Sequence, residues 1–120
     1  MIEKINVAEK FSLFTEQWSP RLLAEVNDMA VKAAKLQGEF FWHSHEHEDE
    51  LFFVVQSTLR ILLRDGEVVL GPGEMVVIPR GVEHLPVADE EVHVLLFEPK
   101  STLNTGNVRN ERTIDHVPSI

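Results

Sequence analysis

Four of the six histidines in this 120-residue chain fall in two places, His43, His45 and His47 in one run and His84 far downstream. In an extended strand residues i and i+2 project to the same side, so His43 and His45 present two imidazoles to one point. Glu50 follows a short bend, from which a carboxylate can join them. Neutral imidazole and carboxylate together suit divalent iron, manganese, nickel, copper or zinc. A fourth ligand must come from elsewhere, and His84 follows the turn Pro79-Arg80-Gly81 at the end of an apolar strand, which is how a barrel returns a distant ligand to its mouth. Such a set leaves coordination positions free on an octahedral ion. The same residues have a second reading. His-Ser-His-Glu-His-Glu-Asp-Glu over residues 43–50 is also the composition of a solvated acidic loop with adventitious metal affinity. His47 keeps the parity of His43 and His45 and reads as an alternative ligand, an outer hydrogen-bond donor or an exposed side chain. His93 alternates with Leu95 and Phe97, either as a pocket group or as a core histidine with a backbone partner. His116 lies in a polar tail and reads as solvated.

The elements that must position these groups are short strands. After Pro20 the chain alternates segments rich in Val, Ile, Leu and Phe with turn signals at Asn27-Asp28, Gly38, Asp65-Gly66, Gly71-Pro72-Gly73 and Pro79-Arg80-Gly81. Residues 21–26 and 29–36 flank Asn27-Asp28 as one hairpin, and 59–64 and 67–70 flank Asp65-Gly66 as another. Residues 51–55, 74–78 and 92–97 make further strands. Closely spaced strands without intervening helices favour a sandwich or small barrel. Phe41, Phe52 and Val54 are candidate wall residues, with either Met75 and Val77 or Val76 and Ile78 according to strand parity. Ahead of the strands, Val7, Phe11 and Phe14 recur at helical spacing with Asn6 as N-cap, predicting a short helix over residues 6–14 that covers the main core together with Trp18. From Lys100 onward the chain is polar and is expected as an irregular tail laid on the body, or as a frayed end.

Charge and composition remove several classes of function. Eleven Lys and Arg against twenty Asp and Glu give a formal charge of −9, the wrong sign for a phosphate backbone, so nucleic acid is not an expected partner. With no cysteine there are no thiolate metal sites and no disulfides, which suits a reducing interior, and neither a leader nor a membrane segment is recognisable; a cytoplasmic location is the expectation. No tyrosine is present, so a mechanism that needs a phenol from this chain is excluded. Glu39, His47 and His93 are the remaining proton carriers near the histidine run. Arg60 and Arg64 share a parity that either clamps an anionic substrate or forms a wet outer face, and the wet face is the simpler reading.

These residues resemble the cupin superfamily, in particular its short bacterial single-domain members of the cupin 2 type. The first motif reads Gly38-Glu39-Phe40-Phe41-Trp42-His43-Ser44-His45, then Glu50 after four residues, then the strand from Phe52 to Val55. The second reads Gly73, five residues, Pro79-Arg80-Gly81, two residues and His84. Three details depart from the pattern: one residue fewer separates Gly38 from His43, Ser57 stands where a glycine closes the first motif, and Ala88 where an asparagine ends the second. The resemblance covers roughly residues 18–99, and Leu103-Asn104-Thr105-Gly106 is similar to the tails of short bacterial cupins.

The resemblance implies an all-β fold, a jelly-roll-like double-stranded β-helix barrel, here with a short N-terminal helix, as one domain over residues 1–120. It makes His43, His45, Glu50 and His84 the metal ligands, the same four residues that the spacing selects. It implies one divalent transition metal, iron, manganese or nickel first and zinc or copper next, open to a small organic ligand. Because metal and oxygen carry the chemistry of an oxygenase, that reaction asks least of the protein and ranks first among enzyme readings. A non-catalytic ligand-binding or sensing module, a cupin isomerase and a metal-free barrel are the alternatives. A homodimer is expected, with Phe53, Val55 and the N-terminal segment as its interface.

Overall fold

Two-residue alternation after Pro20 builds seven antiparallel strands. In the computed structural model, which describes residues 2–120, these are β1 (Arg21–Val26), β2 (Met29–Glu39), β3 (Glu50–Gln56), β4 (Leu59–Leu63), β5 (Gly66–Leu70), β6 (Met75–Ile78) and β7 (His84–Pro99), preceded by helix α1 (Val7–Phe11). The sheet order is β1-β2-β7-β3-β6, with β4 pairing both β5 and β7. β7 therefore ties the fold together. Its second half pairs Leu96 with Lys32 of β2 and with Phe52 of β3, and its first half pairs His84 with Leu63 of β4. Wrapped around this strand, the sheet forms the expected small barrel. Inward positions are filled by Ala34, Phe52, Val54, Ile61, Val92 and Val94, all buried in one cluster. On β6 the inward pair is Val76 and Ile78, while Met75 and Val77 face out.

Strand β7 is far longer than the expected residues 92–97, and the histidine of the second motif is its first residue. The acidic run Asp89-Glu90-Glu91 hides this continuity. Between the pairs Leu36↔Val92 and Gly38↔Ala88 one residue of β2 faces three of β7, so the acidic residues bulge out of the ladder while the strand continues. The turn of the β4–β5 hairpin is also one residue earlier than expected. Leu63 pairs with Gly66, leaving Arg64-Asp65 as the loop, and Gly66 does not use a left-handed conformation. At Asn27-Asp28 the expected two-residue turn forms, with Asn27 at φ +54.

Helix α1 is capped as expected, the Asn6 side chain accepting from the Glu9 N–H at 3.0 Å, but it ends at Phe11. It does not cover the main core. Phe11 and Phe14 pack on Ala33, Val55 and Leu95, on the outer face of the sheet, because Ala33 has the opposite parity to Ala34. Trp18 does pack, half-buried, against the main core as expected. Residues 100–120 are irregular as expected, yet they do not fray: Thr105 is fully buried, and Leu22 of β1 exchanges backbone bonds with Pro118 and Ile120. No helix among the described residues is long and apolar enough to cross a membrane.

Ser57 sits at φ +69, so the backbone conformation that suits glycine persists where the family glycine is absent. Ser57→Gly is expected to stabilise the protein by about 1 kcal/mol, read as a higher denaturation midpoint at an unchanged m-value.

Candidate metal centre

The backbone brings the two histidine segments together. His43 N–H donates to the His84 carbonyl at 3.1 Å and His84 N–H to the His43 carbonyl at 2.9 Å, an antiparallel bridge that leaves the two imidazole centroids 4.3 Å apart. Two more bonds stitch the same segments. Gly81 N–H donates to the His45 carbonyl at 2.8 Å, and Arg80 N–H to Asp49 Oδ1 at 2.8 Å. Gly81 does so at φ +81, a conformation that explains the glycine in this turn. Glu50 opens β3, paired with Ile78 just before that turn. As a result His43, His45, Glu50 and His84 each offer one ligand atom within 4.8 Å of the others, and all four are buried.

Hydrogen bonds set the rings for coordination. His43 Nδ1 lies 3.0 Å from the Phe41 carbonyl and His84 Nδ1 lies 2.9 Å from the Val82 carbonyl. A carbonyl only accepts, so in the neutral rings Nδ1 carries the proton and Nε2 keeps its lone pair. His84 Nε2 and His45 Nε2 lie 3.3 Å and 3.4 Å from Glu50 Oε1. His45 decides whether an ion fits. It is 3% exposed and neither of its ring nitrogens has a hydrogen-bond partner, a costly arrangement that a bound cation would satisfy. Three imidazoles and one carboxylate are a donor set suited to a divalent transition ion.

Protonation favours the same state. Burial, reinforced by repulsion from His84, lowers His43 from 6.5 to about 4, so its ring is neutral at physiological pH. Burial works to raise the Glu50 carboxyl, but the close approach of the His45 and His84 rings outweighs it and holds the group well below the ordinary range. Glu98, buried beside Glu50, is displaced the opposite way. Burial and the Glu50 charge raise it well above the ordinary range against the pull of Lys32.

A cavity open to solvent adjoins the cluster, lined by His43, Glu50, Trp18, Phe40, Phe52 and Glu98 among others, with a volume of about 40 Å³. Trp18 and Phe40 stack at 4.7 Å, and the guanidinium of Arg112 from the tail lies 5.4 Å from the Trp18 ring and 5.5 Å from the Phe40 ring. The tail also clamps the histidine segment. Asn107 N–H donates to the Ser44 carbonyl and Ser44 N–H to Asn107 Oδ1, both at 2.9 Å. Gly106 passes so close that an added Cβ would lie 2.2 Å from the Ser44 carbonyl oxygen.

A family model described as cupin domain matches residues 30–98. The chain belongs to the cupin family. It is similar to a cupin-2 domain containing protein from Shewanella frigidimarina, 51% identical, with a TM-score of 0.79 over 80% of this chain and 94% of that one. Protein NMB1881 from Neisseria meningitidis is 27% identical, with a TM-score of 0.75 over 82% of this cupin and all of that chain. Hydroquinone 1,2-dioxygenase from Sphingomonas sp. TTNP3 shares the fold at 17% identity, with a TM-score of 0.67 over 81% of this chain and 74% of that one. Among curated proteins, uncharacterized protein YdbB of Bacillus subtilis is 41% identical over 63 residues, 52% of this chain; the match spans 56% of that protein's length.

Other sequence candidates fall outside the centre of this cupin. The His47 side chain is 79% exposed and Glu39 is exposed, so neither reaches the cavity. His93 lies on the outer face, stacked on Phe11 at 4.6 Å, with Glu91 Oε1 rather than a backbone group 3.1 Å from its Nε2. Phe41 stacks on Phe40 outside the cavity lining. Arg60 faces Glu67 and Asp89, and Arg64 lies over Trp42 beside Glu83, which is the wet outer face. Sequence reasoning missed Glu98 and Lys32. Their signal was a charged residue at an inward position of an apolar alternation, Glu98 after Val92, Val94 and Leu96, and Lys32 between Ala30 and Ala34.

Because His43 takes up its proton near pH 4 when folded and near 6.5 when unfolded, the unfolded chain binds more protons between those values. The stability this group contributes to the metal-free protein is complete above pH 6.5 and is lost as pH falls toward 4, by up to about 3 kcal/mol. Denaturant melts of the chelated protein across that window are expected to show the decline, and His43→Gln to flatten it.

Proposed function

We propose that this cupin holds one divalent transition ion, iron, manganese or nickel, on His43, His45, Glu50 and His84, and takes a small organic ligand in the adjoining cavity. The observation that carries the reading is His45, buried with both ring nitrogens unpartnered inside a cluster whose other histidines have their Nδ1 atoms engaged. When bound, such an ion would supply Lewis-acid or redox chemistry beside the ligand, held there by His43, His45, Glu50 and His84. The chain's own residues do the rest. The Phe41 and Val82 carbonyls fix the imidazole orientations, Glu50 brings the negative charge, and Phe52, Leu96 and Trp18 keep bulk water from the ligand.

The reaction we propose is a dioxygenase-like oxidation of the small ligand. Support comes from the apolar cavity wall, from the absence of a tyrosine and, as a likeness of fold only, from the hydroquinone 1,2-dioxygenase. Elemental analysis of protein purified without a His-tag should find close to one metal per chain, lost in His45→Ala and His84→Ala while the fold is retained. Wild-type protein that neither contains nor takes up iron, manganese, nickel or zinc would sink the reading. Metal without oxygen consumption on any candidate ligand would leave a ligand-binding module.

We also propose a homodimer through the outer sheet face that carries Phe53. Val55 and Leu95, on that face, pack partly buried against the Phe11–Phe14 cluster of the same chain. The outward rows Val77-Leu51-Phe97 and Met75-Phe53-Leu95, adjacent across β6, β3 and β7, offer an apolar face on which Met75 is 58% and Val77 51% exposed. Sedimentation is expected to give the mass of two chains for wild type and one for Met75→Glu/Val77→Glu.

A further inference from the structure

One polar pair in the barrel wall is left without a task by the metal reading. The inward positions of β7 run Val92, Val94, Leu96, Glu98, and those of β2 run Ala30, Lys32, Ala34, Leu36. An acid and an amine thus replace aliphatic side chains in the wall, and Lys32 Nζ donates to Glu98 Oε1 at 3.0 Å, with the Thr102 carbonyl a further 3.5 Å contact. Exchanging such a pair for apolar side chains of similar size is often neutral or stabilising, so the pair is not explained by the needs of the barrel. Glu98 is 1% exposed, lines the cavity shared by His43 and Glu50, and its Oε2 has no hydrogen-bond partner. The ammonium group fixes one oxygen and leaves the other to be answered by whatever enters.

We propose that Glu98, held by Lys32, is the specificity-determining residue of the cavity, and that it selects small, flat, apolar molecules carrying a hydroxyl group. This rests on the reading of the cavity as the ligand site and names its ligand class. With Lys32 Nζ donating to Oε1, the paired carboxylate leaves Oε2 as an acceptor, which a hydroxyl satisfies by donating and an ether cannot. A ligand carboxylate aimed at the same point would face both Glu50 and Glu98. The cavity volume of about 40 Å³ takes a group of hydroxyl size, and the half-buried, stacked rings of Trp18 and Phe40 suit a flat apolar body behind it.

The test is an NMR titration of the full chain, metal-free and zinc-loaded, with phenol and with anisole, the methyl ether of the same ring, which cannot donate. Wild-type protein is expected to bind phenol at least about tenfold more tightly, with shifts at residues lining the cavity. In Lys32→Met/Glu98→Leu, where neither charge is left buried alone, the preference should fall below about twofold. Glu98→Gln provides a milder second variant. Its amide oxygen serves Lys32 and its NH2 donates equally to a hydroxyl or an ether, so the preference should again collapse. Equal binding of the two probes by wild type, absence of binding, or a preference that survives Glu98→Gln would overturn the proposal. The metal-free titration separates this outcome from that of the metal reading, which elemental analysis decides on its own.

Discussion

Everything at the centre depends on one reciprocal pair of backbone hydrogen bonds, between His43 and His84. Backbone pairing is insensitive to side-chain identity, and so it can hold two residues of a costly kind in register. Four titratable side chains with ligand atoms within 4.8 Å of one another inside a barrel would disperse if their positions depended on their own interactions, since imidazoles repel when charged and lack partners when neutral. Here the cost is met by peptide groups, which do not titrate: the His43–His84 bridge and the Gly81 bond to His45. The centre is preorganised because its frame is made of peptide groups and its chemistry of side chains hung on that frame.

The same separation accounts for the protonation pattern. Carbonyl oxygens from residues two positions earlier take the Nδ1 protons of His43 and His84, leaving Nε2 free to coordinate. Glu50, close to the His45 and His84 rings, is held well below the ordinary range, and its charge helps to raise Glu98 beside it. Two carboxyl groups in neighbouring surroundings are thus driven apart in acidity, one fitted to a cation and the other to a neutral polar group.

Much of this was legible in the sequence, for identifiable reasons. Strand parity alone joined His43 to His45, and the turn before His84 announced a return to the same mouth, because side-chain alternation is a geometric property of extended chain. What escaped was of three kinds. The unbroken run of β7 was masked by Asp89-Glu90-Glu91, since a bulge and a loop look alike in composition. The place of α1 depended on which of Ala33 and Ala34 faces inward, and two adjacent small apolar residues give no parity signal. Whether the tail lies on the body or frays is not decided by its composition, because its anchors are backbone groups and single side chains such as Asn104, Thr105 and Asn107, which carry no periodicity.

That tail changes how access to the centre has to be understood. Its Gly106 is in contact with the Ser44 carbonyl, its Asn107 brackets Ser44 on both sides, and its Arg112 lies over the aromatic rings at the cavity while donating to the Glu39 carbonyl at 3.0 Å. A barrel this small encloses little space, and an apolar wall alone does not decide which molecules enter it. Selection then falls to groups at its two limits. At the inner limit Glu98 requires a hydrogen-bonding head; at the outer limit Trp18, Phe40 and Arg112 require a body that tolerates being stacked and capped. Because Asn107 and the histidine run share Ser44, displacement of the tail would disturb the segment that carries two of the four ligands. Ligand entry and the integrity of the centre are therefore coupled through a single residue with a short side chain, joined to the tail by its backbone.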